Sequence, residues 1–250
     1  MAGAGVRASV RVVVGLLIVA ASACGGSKSD ASADASAGSV RAARVAGDST
    51  PLGARTPKDV PSRAAGRILF LGTSLTAGLG LDPDSAYPQR IQRKIEAAGL
   101  PYEAVNAGVS GETSAGLLRR LDWVLQQPAR VIVIETGAND GLRGQSVVAT
   151  KATIGQIIDR IAHDRPEARV LLVQMEAPTN LGAGYTSAFH AMFPALAREK
   201  HVTLLPFLLD GVAGHASLNQ ADGVHPNDVG ERIVTENVWR GLKPALGIRD

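Results

Sequence analysis

From Arg67 onward, short apolar runs alternate with segments of helical periodicity, and this alternation leaves the chain few folds to choose from. The runs fall at 68–71, 103–105, 131–134, 170–173 and 202–205. Continuous apolar stretches this short suit strands buried on both faces of a sheet. Between them, Ile91 and Ile95 stand four apart in a helix expected over about 87–98. Leu117, Leu118, Leu121 and Leu125 share one face of 114–125, and Ile154, Ile157, Ile158 and Ile161 cluster within 146–163. Two more helices are expected over about 187–200 and 228–242. Strands alternating with helices predict βαβ units and a parallel α/β sheet of about five strands, covered on both faces. Such sheets bind ligands beyond the carboxyl ends of their strands. Chemistry is therefore expected just after strands.

The first 65 residues read differently. Arg7 and Arg11 precede an apolar run over 12–19, which gives way to Ala20-Ala21-Ser22-Ala23-Cys24. A charged start, a short apolar core and small residues form a signal peptide over 1–23. The run is shorter than the roughly 20 apolar residues of a spanning helix. A buried helix or an uncleaved anchor is the alternative. Cys24 is the only cysteine of the 250 residues, so no disulfide can form within the chain. At a cleavage boundary, followed by Gly25-Gly26-Ser27, it resembles a lipobox cysteine whose sulfur is lipidated. Ala21 replaces the usual leucine, and Ala21-Ser22-Ala23 would also serve ordinary signal cleavage. A lipid on Cys24 would make a membrane surface a partner. Residues 24–65, rich in Ala, Ser, Gly and Pro and without apolar periodicity, are expected to be a disordered tether to a domain over 66–250.

Charge separates the two parts and excludes one class of partner. Residues 1–65 carry 8 Lys/Arg against 4 Asp/Glu, leaving 18 against 19 for the rest. The net charge of +3 therefore belongs to the tail. A near-neutral domain has no electrostatic footprint for nucleic acid.

Three segments after expected strands, and one before the last helix, carry candidate chemistry. Gly72-Thr73-Ser74-Leu75 follows the first run, so Ser74 can be presented at the sheet edge beside helical N–H groups. Asn106-Ala107-Gly108 follows the second, where Gly108 lets backbone approach a substrate. Gly137-Ala138-Asn139-Asp140-Gly141 follows the third, and Asn139 offers an amide donor. Ser74 N–H, Gly108 and Asn139 form a candidate oxyanion hole. Asp222-Gly223-Val224-His225-Pro226 supplies a base, His225, with a carboxylate, Asp222, to fix its tautomer. Taken singly, each segment also reads as an ordinary turn or loop. His163, His190, His201 and His215 suit surface or structural roles, and no histidine pair has zinc spacing. No metal or other cofactor is called for. The loop 175–182 is either a wall of an acyl pocket or a plain connector.

Together these blocks resemble the SGNH (GDSL-type) hydrolase family over about 67–246. The wider strings Leu75-Thr76-Ala77-Gly78-Leu79-Gly80, Ser110-Gly111-Glu112-Thr113 and Asp140-Gly141-Leu142-Arg143-Gly144 resemble its bacterial thioesterase I, lysophospholipase L1 and arylesterase branch. The resemblance implies a flavodoxin-like three-layer α/β/α sandwich, a periplasmic or cell-surface address and a Ser74, Asp222, His225 triad. It also implies an oxyanion hole of Ser74, Gly108 and Asn139. Thr73 stands where many members have aspartate. The implied activity is hydrolysis of a small acyl ester, thioester or lysophospholipid by a monomer. Two other readings stay open: polysaccharide O-deacetylation or acyl transfer on the same fold, and a non-catalytic lipid-binding surface lipoprotein.

Overall fold

The computed structural model describes residues 66–248. The signal peptide expected over 1–23, Cys24 and the tether expected over 24–65 lie outside them. Five strands, β1 (Gly66–Gly72), β2 (Tyr102–Gly108), β3 (Val131–Ile134), β4 (Arg169–Gln174) and β5 (Thr203–Phe207), form one sheet in the order β2-β1-β3-β4-β5. Every pairing is parallel. This is the flavodoxin-like order, in which the strand order reverses between β1 and β3 and opens a crevice at their carboxyl ends.

Helices cover both faces. α2 (Tyr87–Ala97) packs beside α7 (Asp228–Leu242), while α3 (Ser114–Val124), α5 (Val147–Asp164) and α6 (Ala183–Glu199) pack in series on the opposite side. The helical faces read from sequence are the buried ones: Ile91, Ile95, Leu117, Leu121, Ile154, Ile157 and Ile161 are all fully buried. With Ile68, Phe70 and Leu71 of β1 and all of β3 they make one continuous core. β1 and β3 are central and are apolar throughout their middles because both faces are covered.

The outcome differs from the expectation at several edges. β2 is longer than 103–105 because it pairs with β1 residue for residue up to Gly72↔Gly108. α6 begins at Ala183, before the expected 187, where Tyr185 stacks on Phe189 and donates its hydroxyl to the Gln145 carbonyl. Two short helices also replace expected loop: α1 (Ser74–Ala77) and α4 (Ala138–Leu142). Both start at the reversal crevice, and both carry candidate site residues at their amino ends.

Candidate active site

β1 delivers the chain to Thr73, which caps α1, and Ser74 is its first helical residue. The Ser74 N–H sits at the open amino end of α1, where no intrahelical carbonyl can accept it. The turn is held from beneath by a residue that sequence reasoning passed over. Glu135, fully buried at the end of β3, accepts the Thr73 N–H at 2.7 Å and the Thr73 hydroxyl at 3.0 Å. It also accepts the Thr76 hydroxyl at 2.9 Å. Because Thr76 spends its proton on Glu135, the Tyr87 hydroxyl, 2.8 Å away, is the donor to Thr76 Oγ1. Burial pushes the Glu135 carboxyl up to about 7, against the opposing pull of its hydrogen bonds from Thr73 and Thr76. An aspartate at 73 would set a second carboxylate against this one, so Thr73 suits the site that Glu135 makes. The only local signal for Glu135 was an acid directly after four buried apolar residues.

The candidate base, His225, arrives from the other end of the domain. Asn219 and Pro226 form an antiparallel bridge, Gln220 N–H donates to the His225 carbonyl at 2.7 Å, and Asn227 caps α7. The loop thus closed holds Asp222 and His225. The Gln220 amide also donates to the Leu79 carbonyl at 2.7 Å, tying this loop to the segment after α1. His225 Nε2 lies 2.8 Å from Ser74 Oγ, and His225 Nδ1 lies 2.6 Å from Asp222 Oδ2. Asp222 Oδ1 accepts the backbone N–H groups of His225 and Val224 at 3.0 and 2.9 Å. The His225 N–H, then the Val224 N–H and the imidazole, hold the Asp222 carboxyl down at about 2. The three residues expected to act together are within direct hydrogen-bonding reach.

The donor side is met in part. Asn139, in the first turn of α4, is half-buried, and its Nδ2 donates to the Glu112 carbonyl at 3.0 Å, leaving one amide hydrogen for a ligand. Gly108 is not placed as expected. Its N–H donates to Asn106 Oδ1 at 3.0 Å, and a Cβ there would stand 2.3 Å from Ala77 N and 2.8 Å from Thr73 O. Its glycine serves the close approach of β2 to the nucleophile turn. Gly111, three residues on, is exposed, and its N–H makes no hydrogen bond among the described residues. Its carbonyl accepts from the Arg143 guanidinium at 2.9 Å. Asp140, buried, accepts the N–H and hydroxyl of Ser114 at 2.8 and 2.5 Å, which locks α4 to the start of α3.

The remaining candidates lie aside. His190 on α6 faces Glu176 at 2.7 Å on an exposed surface, but no hydroxyl nucleophile follows it there among the described residues. The loop 175–182 runs against α4: a Cβ on Gly141 would meet Ala177 Cβ at 3.5 Å. A cavity of about 540 Å³ lined by Gly66, Arg67, Glu103, Arg130 and Arg165 opens at the amino ends of the strands, the wrong edge for a parallel-sheet site.

A hydroxyl, an imidazole and a carboxylate aligned at the carboxyl edge of a doubly wound sheet define a hydrolase of the α/β class. Residues 70–233 match the GDSL-like lipase/acylhydrolase family, and the chain belongs to it. It is 38% identical over 185 residues to the esterase TesA of Pseudomonas aeruginosa, covering 73% of this chain and 90% of that one. It is 36% identical over 184 residues to thioesterase 1/protease 1/lysophospholipase L1 of Escherichia coli K12, covering 73% and 86%. Among solved structures, a TesA crystal structure aligns with TM-score 0.69 at 37% identity, over 72% of this chain and 99% of that one. The esterase EstA of Pseudoalteromonas aligns with TM-score 0.69 at 31% identity, over 72% and 98%. The chain is a carboxylic ester hydrolase.

Proposed function

We propose that the protein is a serine esterase of the cell envelope that hydrolyses acyl esters or thioesters, lysophospholipids and aryl esters among them, through an acyl-enzyme on Ser74. The observation that carries this reading is the unbroken line from Ser74 Oγ through His225 to the Asp222 carboxylate. His225 Nε2 takes the Ser74 proton as Oγ attacks the carbonyl carbon. Asp222, accepting from Nδ1–H, holds the tautomer that leaves Nε2 free and stabilises the imidazolium that forms. The carbonyl oxygen gains negative charge beside the Ser74 N–H, the free amide hydrogen of Asn139 and the Gly111 N–H. His225 then protonates the leaving alcohol or thiol. Water, deprotonated in turn by His225, attacks the acyl carbon, and the acid departs as Ser74 regains its proton. All of these groups come from one chain, which supports a monomeric enzyme.

The envelope address rests on the export pattern of residues 1–23 and on Cys24, whose place after small residues supports lipid attachment. The test is hydrolysis of p-nitrophenyl esters from acetate to long chain by the full-length protein and its Ser74→Ala variant. Turnover should fall by roughly 10⁴-fold or more in the variant, with the chain-length optimum measuring the acyl site. Hydrolysis retained by a clean Ser74→Ala preparation would remove Ser74 as nucleophile.

A further inference from the structure

The segment between β2 and α3 supplies one of the three donors assigned to the oxyanion, the Gly111 N–H, and its Glu112 carbonyl holds a second, the Asn139 amide; one side chain holds both of its ends. Arg120, on α3, donates from Nε to Glu112 Oε1 at 2.7 Å and to Oε2 at 3.0 Å. Its Nη2 donates to Glu112 Oε2 at 2.7 Å and to the Ala107 carbonyl at 2.8 Å. The pair is shielded from solvent, with side-chain exposures of 18% for Arg120 and 9% for Glu112. Ala107 is next to last in β2, and Glu112 is the last residue but one before α3. The guanidinium therefore closes residues 107–112 into a loop anchored to the sheet on one side and to a helix on the other. Gly111 lies inside that loop. The carbonyl of Glu112, the residue whose side chain Arg120 grips, receives the Asn139 amide.

We infer that Arg120 is a positioning residue for the oxyanion hole, setting the Gly111 N–H through the loop whose ends it clamps and the Asn139 amide through the Glu112 carbonyl. The inference rests on the oxyanion reading proposed above. Lysine cannot replace the guanidinium, since a single ammonium does not present the planar fork that reaches a carboxylate and a carbonyl at once. The third donor, the Ser74 N–H, stands apart from this clamp because Glu135 and Thr73 hold it. Losing Arg120 should therefore weaken transition-state stabilisation without dismantling the nucleophile. Complete loss of one oxyanion donor costs about 10²–10³ in kcat, and two loosened donors should cost roughly 10–10²-fold.

The experiment measures kcat and KM of the full-length protein on one p-nitrophenyl ester for Arg120→Ala, Arg120→Lys, Asn139→Ala and the Arg120→Ala/Asn139→Ala double variant. Expected are a fall in kcat at nearly constant KM for Arg120→Ala, no recovery in Arg120→Lys, and partial recovery of Arg120→Ala by added guanidinium. The double variant should lie well above the product of the two single losses, because both substitutions damage the same donor. Losses that multiply, or a rise in KM at unchanged kcat, would overturn the positioning role. If Asn139→Ala itself keeps full kcat, the oxyanion reading fails first, and the two failures are thus separable. Should Arg120→Ala not fold, Glu112→Gln serves in its place, since it weakens the same clamp at nearly constant shape. A kcat unchanged in a folded Glu112→Gln would then count against the clamp.

Discussion

The two ends of the catalytic line are built in opposite ways. Ser74 stands on a turn whose support is buried: Glu135, Thr73, Thr76 and Tyr87 are each at most 1% exposed, and the carboxylate beneath the turn is pushed up to about 7. His225 and Asp222 sit on a surface loop, where the Asp222 side chain is 47% exposed and its carboxyl is held down at about 2. One carboxylate holds backbone in place at a desolvation cost, and the other remains charged in partial contact with water. On the proposed reading, Ser74 has to meet a helix amino end and a base from another segment, so its position leaves little tolerance. As the proposed base, His225 needs its charge stabilised and its ring aimed, which backbone N–H groups and one carboxylate accomplish at the surface.

The sharpest way to break this comparison is Asp222→Asn. The new side chain can still accept the Val224 and His225 N–H groups on its oxygen, so the loop should keep its shape. Its amide would face Nδ1 as a donor, driving the ring proton to Nε2, where it blocks acceptance from Ser74 Oγ. We expect kcat to drop by roughly 10²–10⁴-fold with the melting temperature nearly unchanged. A loss below about tenfold would mean that the exposed carboxylate does little more than any solvated neighbour. At the other end, Glu135→Ala should act first on stability. It leaves the Thr73 N–H and two hydroxyls without their acceptor in a dry site, costing roughly 3–4 kcal/mol in urea unfolding. A cost under about 1 kcal/mol would show that water or rearranged threonines take over, and that the buried support is not what the turn depends on.

The same contrast decides what the sequence made legible. Asp222 and His225 are three residues apart in one loop just before a helix, so local spacing revealed them. Ser74 and Asn139 follow apolar runs, and the parallel-sheet rule placed both at the crevice. β3 and α7 fall where their periodicity put them, because burial on two faces or along one stripe leaves a period to read. Glu135 pairs with Thr73 across 62 residues, and Asp140 with Ser114 across 26, and such pairings leave no local pattern. Arg120 and Glu112 sit eight apart astride a helix start, outside the helical neighbour spacing that would flag an ion pair. Gly108 drew attention as the first glycine after a strand. Yet its register opposite Gly72 engages it in packing, and only the resolved hydrogen bonds show that Gly111 keeps a free N–H. α4 looked like a turn because Asn139, Asp140 and Gly141 favour turns. Gly137 at φ +97° starts it, and Asp140 bonded to Ser114 fastens it.

The smallest effect expected is also the one that reads the two carboxylates against each other. Glu135 and Glu231, which accepts the Tyr87 N–H at 2.7 Å, are both raised by burial from 4.5 to about 7. A carboxyl raised in the folded state binds more protons than in the unfolded chain between those values, so stability declines as pH climbs from about 4.5 through 7. Asp222 has the opposite sign: its contribution is present above 3.8 and is lost as pH falls through about 2. Glu135→Gln isolates the first term, because a glutamine oxygen in the place of Oε2 accepts from Thr73 N–H and Thr76 while its amide donates to Thr73 Oγ1. That pattern is the one a protonated Glu135 would make. Below pH 4.5 the urea-unfolding curves of variant and parent should run parallel in pH. Above it the parent should fall behind by on the order of 1–3 kcal/mol by pH 8, with Glu231 still sloping both curves. Parallel curves across the whole range would mean that Glu135 titrates as it does in the unfolded chain. The buried end of the site would then carry its carboxylate charge as readily as the exposed one does.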